Sequence, residues 1–120
     1  MNSLGIKYSC GEGVVQDDEQ AAEWFKKAAD KGYEIAMNNL GSCYFNGRGV
    51  AQDYTKAVYW FRKSAEKGFD SGLSNLGKCY KEGRGVAQDK DIADILFEAA
   101  GEANAGNTKR AIEMLDEALR

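Results

Sequence analysis

The chain has 120 residues, 43% of them apolar, and 16 basic residues against 19 acidic ones leave a formal charge of −3. That length allows one domain of ordinary size, and an acidic balance argues against a general nucleic-acid binder, which is as a rule basic. No apolar run approaches the length of a membrane span, and the opening MNSLGIKYSC lacks the basic-then-apolar order of a signal peptide.

Histidine is absent, which removes histidine-based catalysis and histidine metal sites. The three cysteines, Cys10, Cys43 and Cys79, are scattered, a poor set for zinc. No metal and no cofactor is expected. An odd cysteine count argues against a complete disulfide framework. Cys43 and Cys79 share a slot in successive repeats. Packed helices sit about 8–10 Å apart, whereas a disulfide needs Cα atoms nearer than about 7 Å. The thiols are therefore expected to be free, which favours a reducing compartment such as the cytoplasm.

In chain order, the first feature is a repeat. Leu4 to Asp17 reads LGIKYSCGEGVVQD, Leu40 to Asp53 reads LGSCYFNGRGVAQD, and Leu76 to Asp89 reads LGKCYKEGRGVAQD, a spacing of 36 residues. The second and third copies agree at eleven of fourteen positions, the first and second at eight. Downstream, Ala21, Ala57 and Ala93 align; Trp24 and Trp60 align with Leu96; Phe25, Phe61 and Phe97 form one set. A fixed period of this length marks a repeat architecture, in which neighbouring units bury each other's apolar faces.

Each unit reads as two helices. In the second unit the first helix spans about Glu34 to Asn46, with Met37, Leu40, Gly41 and Tyr44 on one face. GRGV breaks it: glycines suit backbone angles that a Cβ forbids, and Val50 is read as a plug beneath the turn. Asp17, Asp53 and Asp89 stand where N-caps are needed, and Asp17 with Gln20 resembles a capping box. The second helix carries Ala57, Trp60, Phe61, Ser64 and Ala65 at helical spacing and stops at Lys67-Gly68, as its predecessor stops at Lys31-Gly32. The third unit drifts. Its stop becomes GEANAGN, Gly101 to Asn107, and TKRAIEMLDEALR follows as a final helix with Ile112, Leu115 and Leu119 as its stripe. Ala111, Met114 and Ala118 widen that stripe. Lys109, Glu113, Asp116 and Glu117 face water, as a terminal cap requires. The expected division is repeat 1 at about 1–33, repeat 2 at about 34–69, repeat 3 at about 70–105 and a capping helix at about 107–120, within a single domain. Met1 falls in the slot of Met37, so the first helix starts late and that end is uncapped. Two readings of it stand: a fragment of a longer array, or a face that meets a partner or another copy.

The pattern LG-x-x-Y-x-x-G-x-G-V-x-x-D, then A-x-x-W-F, then A and a closing K-G, resembles the Sel1-like repeat, a relative of the tetratricopeptide repeat. The resemblance covers nearly the whole chain. It implies an all-α, right-handed α-solenoid whose members act mostly as adaptors for proteins or peptides. Some secreted bacterial members carry paired cysteines inside each repeat. This chain lacks that pairing, which points away from a stapled secreted version.

The second and third copies differ at Ser42/Lys78, Phe45/Lys81 and Asn46/Glu82. These positions stand at i, i+3 and i+4, hence on one helical face, away from the Leu40–Tyr44 stripe. A solvent-facing ribbon along the stacked first helices is expected, and the resemblance implies that it lines a concave groove. Asn38 and Ser74 extend it by one turn, and the amides of Asn39 and Asn75 are placed to hold a peptide backbone. The candidate ligand-binding residues are Asn38, Ser42, Phe45, Asn46, Ser74, Lys78, Lys81 and Glu82. Phe45 is read as an anchor or as a ring covered by the next helix; Lys78 and Lys81 attract a carboxylate or simply solvate the surface. The competing reading is that exposed positions differ because nothing constrains them.

Ser64-Ala65-Glu66-Lys67 satisfies S-x-x-K, a nucleophile motif. It is set aside because Ser64 sits in the slot of Ala28 and Ala100, Lys67 sits in that of Lys31, and no K-T-G accompanies it. GRGV lacks the spacing and the lysine of a phosphate loop. Trp24, Trp60, Phe25 and Phe61 are expected in the core, and Arg48 and Arg84 are expected to pair with a nearby acid. The reading is a non-catalytic adaptor that binds protein or peptide, with no nucleic acid and no membrane. The alternatives are an assembly module that associates through the uncapped N-terminal repeat as a homo-oligomer, and a hydrolase of cell-wall or β-lactam substrates.

Overall fold

A computed structural model describes residues 17–120, and among them every regular element is an α-helix. The helices are α1 (Asp18–Asp30), α2 (Glu34–Asn46), α3 (Tyr54–Glu66), α4 (Asp70–Glu82), α5 (Lys90–Asn104) and α6 (Thr108–Ala118). Each packs on the next; α2 also touches α4, and α3 touches α6. Hairpins thus stack side by side into an α-solenoid. The first-copy positions before Asp17, including Cys10 and the Met1 that shares the slot of Met37, lie outside the described residues, and so does the end expected to be uncapped.

Local chemistry starts and stops these helices. Asp17, Asp53 and Asp89 hold extended backbones, and their carboxylates accept from the N–H of Gln20, Lys56 and Ile92 at 3.1, 3.1 and 3.0 Å. Each occupies one of the donors that a helix start leaves orphaned. α1 and α3 end at Lys31 and Lys67, and the following glycines take φ of +92° and +79°. α5 stops inside the expected GEANAGN segment: it continues through Gly101 to Asn104 and ends at Ala105-Gly106. The first four residues of that segment are helix, where Glu102 and Ala103 are good helix formers.

The turn after each first helix explains the repeated GRG. Gly49 has φ +77°, and its Cα rests against the backbone carbonyl of Asp18; Gly85, at φ +76°, rests against that of Tyr54. A Cβ at either site would overlap that carbonyl. The turn of one repeat thus seats on the first residue of the preceding repeat's second helix. Val50 and Val86 tuck beneath, partly buried against the core. The repeated Gln52 and Gln88 donate to the carbonyls of Phe45 and Lys81, both at 2.9 Å. They satisfy acceptors at the ends of α2 and α4 that the helix ladder leaves open.

Among the described residues the core forms two clusters. One joins Ala21, Phe25, Met37 and Leu40; the other joins Phe61, Leu73, Leu76, Leu96, Met114 and Leu115, and Tyr44 packs against both. The tryptophans depart from expectation. Trp24 and Trp60 are half-buried, with the Lys27 amine 4.9 Å from the first ring and the Lys26 amine 5.6 Å from the second. Only Leu96, in the same slot, is sealed. Phe25 and Phe61 are buried, but Phe97 is 37% exposed. The slot that holds Phe45 in the preceding unit holds the exposed Lys81, so no aromatic wall closes over Phe97. α6 packs on α5, burying Ala111, Met114 and Leu115 while Lys109, Glu113, Asp116 and Glu117 stay exposed.

Candidate functional site: a recess along the first helices

The variable positions of α2 and α4 meet at a small recess. Ser42, Phe45, Asn46, Phe61, Asn75 and Lys78 enclose a cavity of about 90 Å³. Of the eight candidate residues, Ser42, Phe45, Asn46 and Lys78 line it. Lys81 and Glu82 are exposed on the next turn of α4, and Ser74 is half-buried beside it. Asn38 is a correction: only 9% exposed, it belongs to no solvent-facing ribbon. Its Oδ1 accepts from Asn75 Nδ2 at 2.8 Å. The bond joins two amides across a partly buried helix contact, and one N–H of Asn75 is thereby committed to α2.

Phe45 sits between the two sequence readings. It is half-buried, edge-on to Tyr54 at a centroid distance of 5.1 Å and 6.3 Å from Phe61. Its remaining surface draws two cations: Lys78 Nζ at 5.6 Å and the Arg84 guanidinium at 5.9 Å. Arg84 also stacks over Tyr54 at 5.1 Å, hydrogen-bonds its hydroxyl, and lies 3.6 Å from the Glu82 carboxylate. Asn46 folds back to donate to the Ser42 carbonyl at 3.0 Å. Phe61, expected from its spacing in the core alone, also lines the recess; its ring forms the floor because Gly41 on α2 presents no side chain above it.

Arg48 meets the acid expected of it, Asp18 of the preceding unit, at 3.2 Å. Ser64 is wholly buried, and its hydroxyl donates to the Glu34 carbonyl at 2.8 Å. A nucleophile needs access and a base; this hydroxyl has neither a path to solvent nor a free proton. Cys43 and Cys79 are free and buried. Burial pushes both thiols up, with Arg48 opposing the effect at Cys43, and Cys79 rises to about 11. Among the described residues no group of three His, Cys, Asp or Glu side chains could hold a metal ion. No described helix is long and apolar enough to cross a membrane.

The same architecture recurs in known proteins. The chain matches the Sel1 repeat family three times, at residues 1–33, 35–69 and 71–104. Among curated proteins none matches. Among solved structures, a protective antigen present in uropathogenic Escherichia coli strains, described as displaying an SLR fold, superposes with a TM-score of 0.82 at 46% identity, over 84% of this chain and 22% of that one. A Sel1 repeat protein from Oxalobacter formigenes gives 0.81 at 32% identity, over 92% of this chain and 46% of that one. The chain thus spans about a fifth of the first relative and just under half of the second. Sel1 folds are typically non-catalytic repeat scaffolds, and the repeats commonly mediate protein interactions. Three family matches, the capped helix hairpins and the glycine turns seated on the preceding unit make this chain a member of the Sel1 repeat family.

Proposed function

We propose that the chain is a non-catalytic adaptor module that holds a protein or peptide segment in the groove along α2 and α4. One observation carries this reading: the positions that differ between otherwise matching repeats gather around one recess with an aromatic floor and a polar rim. Repeat-encoded residues build the scaffold, and the unlike residues Ser42, Phe45, Asn46 and Lys78 give the recess its own chemistry. A preformed recess on packed helices binds with little loss of conformational freedom. The single repeat domain over residues 1–120 is the unit that presents it.

Selection of random peptides on the purified chain tests the reading. Selected peptides should lose binding by about tenfold or more with Asn46→Trp, which crowds the rim from an exposed position. The melting temperature of that variant should stay close to the parent's. Peptides that bind the variant as well as the parent, or a selection that yields none, would remove the groove as the binding site.

A further inference from the structure

We infer that the groove takes an acidic segment, with carboxylates over Lys78 and Lys81 and a small apolar side chain in the recess between them and Phe61. The inference rests on the groove reading and names the chemistry of its partner. Charge carries it. The chain as a whole has a formal charge of −3, yet the rim at the end of α4 sets Lys78, Lys81 and Arg84 against a single carboxylate, Glu82. That carboxylate is already engaged by Arg84 at 3.6 Å. Among the described residues, neither Lys78 nor Lys81 has an ion-pair partner.

Two of the cations also share one ring. Lys78 and Arg84 approach the same Phe45 ring, at 5.6 and 5.9 Å from its centroid. The ring face attracts both, and an incoming carboxylate beside it would meet both charges. Lys81 lies one turn from Lys78 on the same exposed face of α4. The positive stretch has an end. The buried Ala111, Met114 and Leu115 of α6 repeat the spacing of Leu73, Leu76 and Gly77, which places Asp116 in the slot of Lys78. Glu113 and Glu117, on either side of it, are drawn to Arg110 at 3.6 and 3.8 Å. An acidic segment therefore meets attraction over α4 and repulsion beyond it, which fixes where its carboxylates sit. The recess, at about 90 Å³, has room for a few methyl or methylene groups and not for a large aromatic ring.

The test uses short synthetic peptides with a central valine or leucine, flanked by Asp and Glu, by Ser and Gln, or by Lys, titrated into the whole chain by fluorescence anisotropy. The acidic peptides should bind at least about tenfold tighter than the neutral ones, with the advantage shrinking as salt screens exposed charges. Lys78→Glu with Lys81→Glu should abolish that advantage, while Lys63→Glu, on the second helix of its repeat, should leave it intact. Neutral peptides that bind as tightly as acidic ones, or an acidic preference that survives the double reversal, would overturn the inference. If neutral peptides bind and Asn46→Trp blocks them, the acidic preference falls and the groove stands. If no peptide class binds, both fall.

Discussion

The hydroxyl of Ser64, at the end of α3, donates to the backbone carbonyl of Glu34, at the start of α2, across 2.8 Å. The two helices of one repeat are thereby tied at the end opposite their GRGV turn. Gly72 on α4 makes room for the contact: a Cβ there would fall 2.6 Å from the Ser64 oxygen.

Ser64→Ala should lower unfolding free energy by about 1 kcal/mol, the net worth of one such hydrogen bond, and no more. Alanine already fills the slot at Ala28 and Ala100, and the Glu34 carbonyl keeps its place in the helix ladder. Urea denaturation measures the difference. Mass spectrometry after exposure of the parent chain to a β-lactam should find no adduct on Ser64, since the side chain is wholly buried.

Two glycines inside helices should respond to alanine in opposite directions. At Gly41 a Cβ would come within 2.6 Å of the Phe61 ring and 3.2 Å of the Ala57 carbonyl. Overpacking of that kind costs about 1–3 kcal/mol, more than the helix propensity that alanine returns. At Gly101, exposed in α5, nothing lies within 4 Å. Gly101→Ala should stabilise the chain by about 0.5–1 kcal/mol. Thermal melts of the two variants should therefore move to either side of the parent.

The aspartate caps should be individually measurable. Asp53→Ala and Asp89→Ala each remove an acceptor from a helix start, the first from the Lys56 N–H and the second from that of Ile92. Each should cost about 0.5–2 kcal/mol. Asn at either position restores a capping oxygen and should recover most of the loss. A cap variant as stable as the parent would show that the turn, rather than the carboxylate, sets the start of that helix.

Burial raises the Cys43 and Cys79 thiols, Cys79 to about 11 from 9.0. A two-unit rise leaves about a hundredfold fewer thiolates at pH 8, and Cys79 is in addition sealed from solvent. In a Cys10→Ser background, both thiols should label slowly with a disulfide reagent at pH 8, Cys79 the more slowly, and rapidly in denaturant. The linkage has a fixed sign. A pKa raised by folding favours the native state fully below the unfolded value, and that contribution is lost as pH climbs toward the folded one. Stability should therefore decline between about pH 9 and pH 11, and replacing Cys79 with Ala should flatten that decline.

The repeat was legible in the sequence because its residues act locally. Asp53 caps the helix it precedes, Gly47 and Gly68 permit backbone angles that other residues resist, and Met37, Leu40 and Gly41 recur at the spacing of one helical face. Each of these depends on neighbours a few residues away, so spacing alone reports it. The candidate groove was legible only in part. Ser42, Phe45, Asn46 and Lys78 were found by asking where matching repeats differ, but periodicity does not show that Asn38 turns inward to Asn75.

What the sequence determined by itself was the unit: two helices, their caps, their stops and the period that stacks them. The tertiary structure alone decided what each repeated residue meets. Arg48 finds Asp18 and Arg84 finds Tyr54 because each turn lands on the preceding repeat, and the landing residue differs. Phe61 becomes the floor of a recess because Gly41 stands above it and Phe45 beside it, while Phe97, in the same slot, is left exposed. Hydrogen-bond geometry and backbone angles are set over a few residues and can be read along a line. Burial is set by whatever arrives from the next helix, and that is decided only in three dimensions.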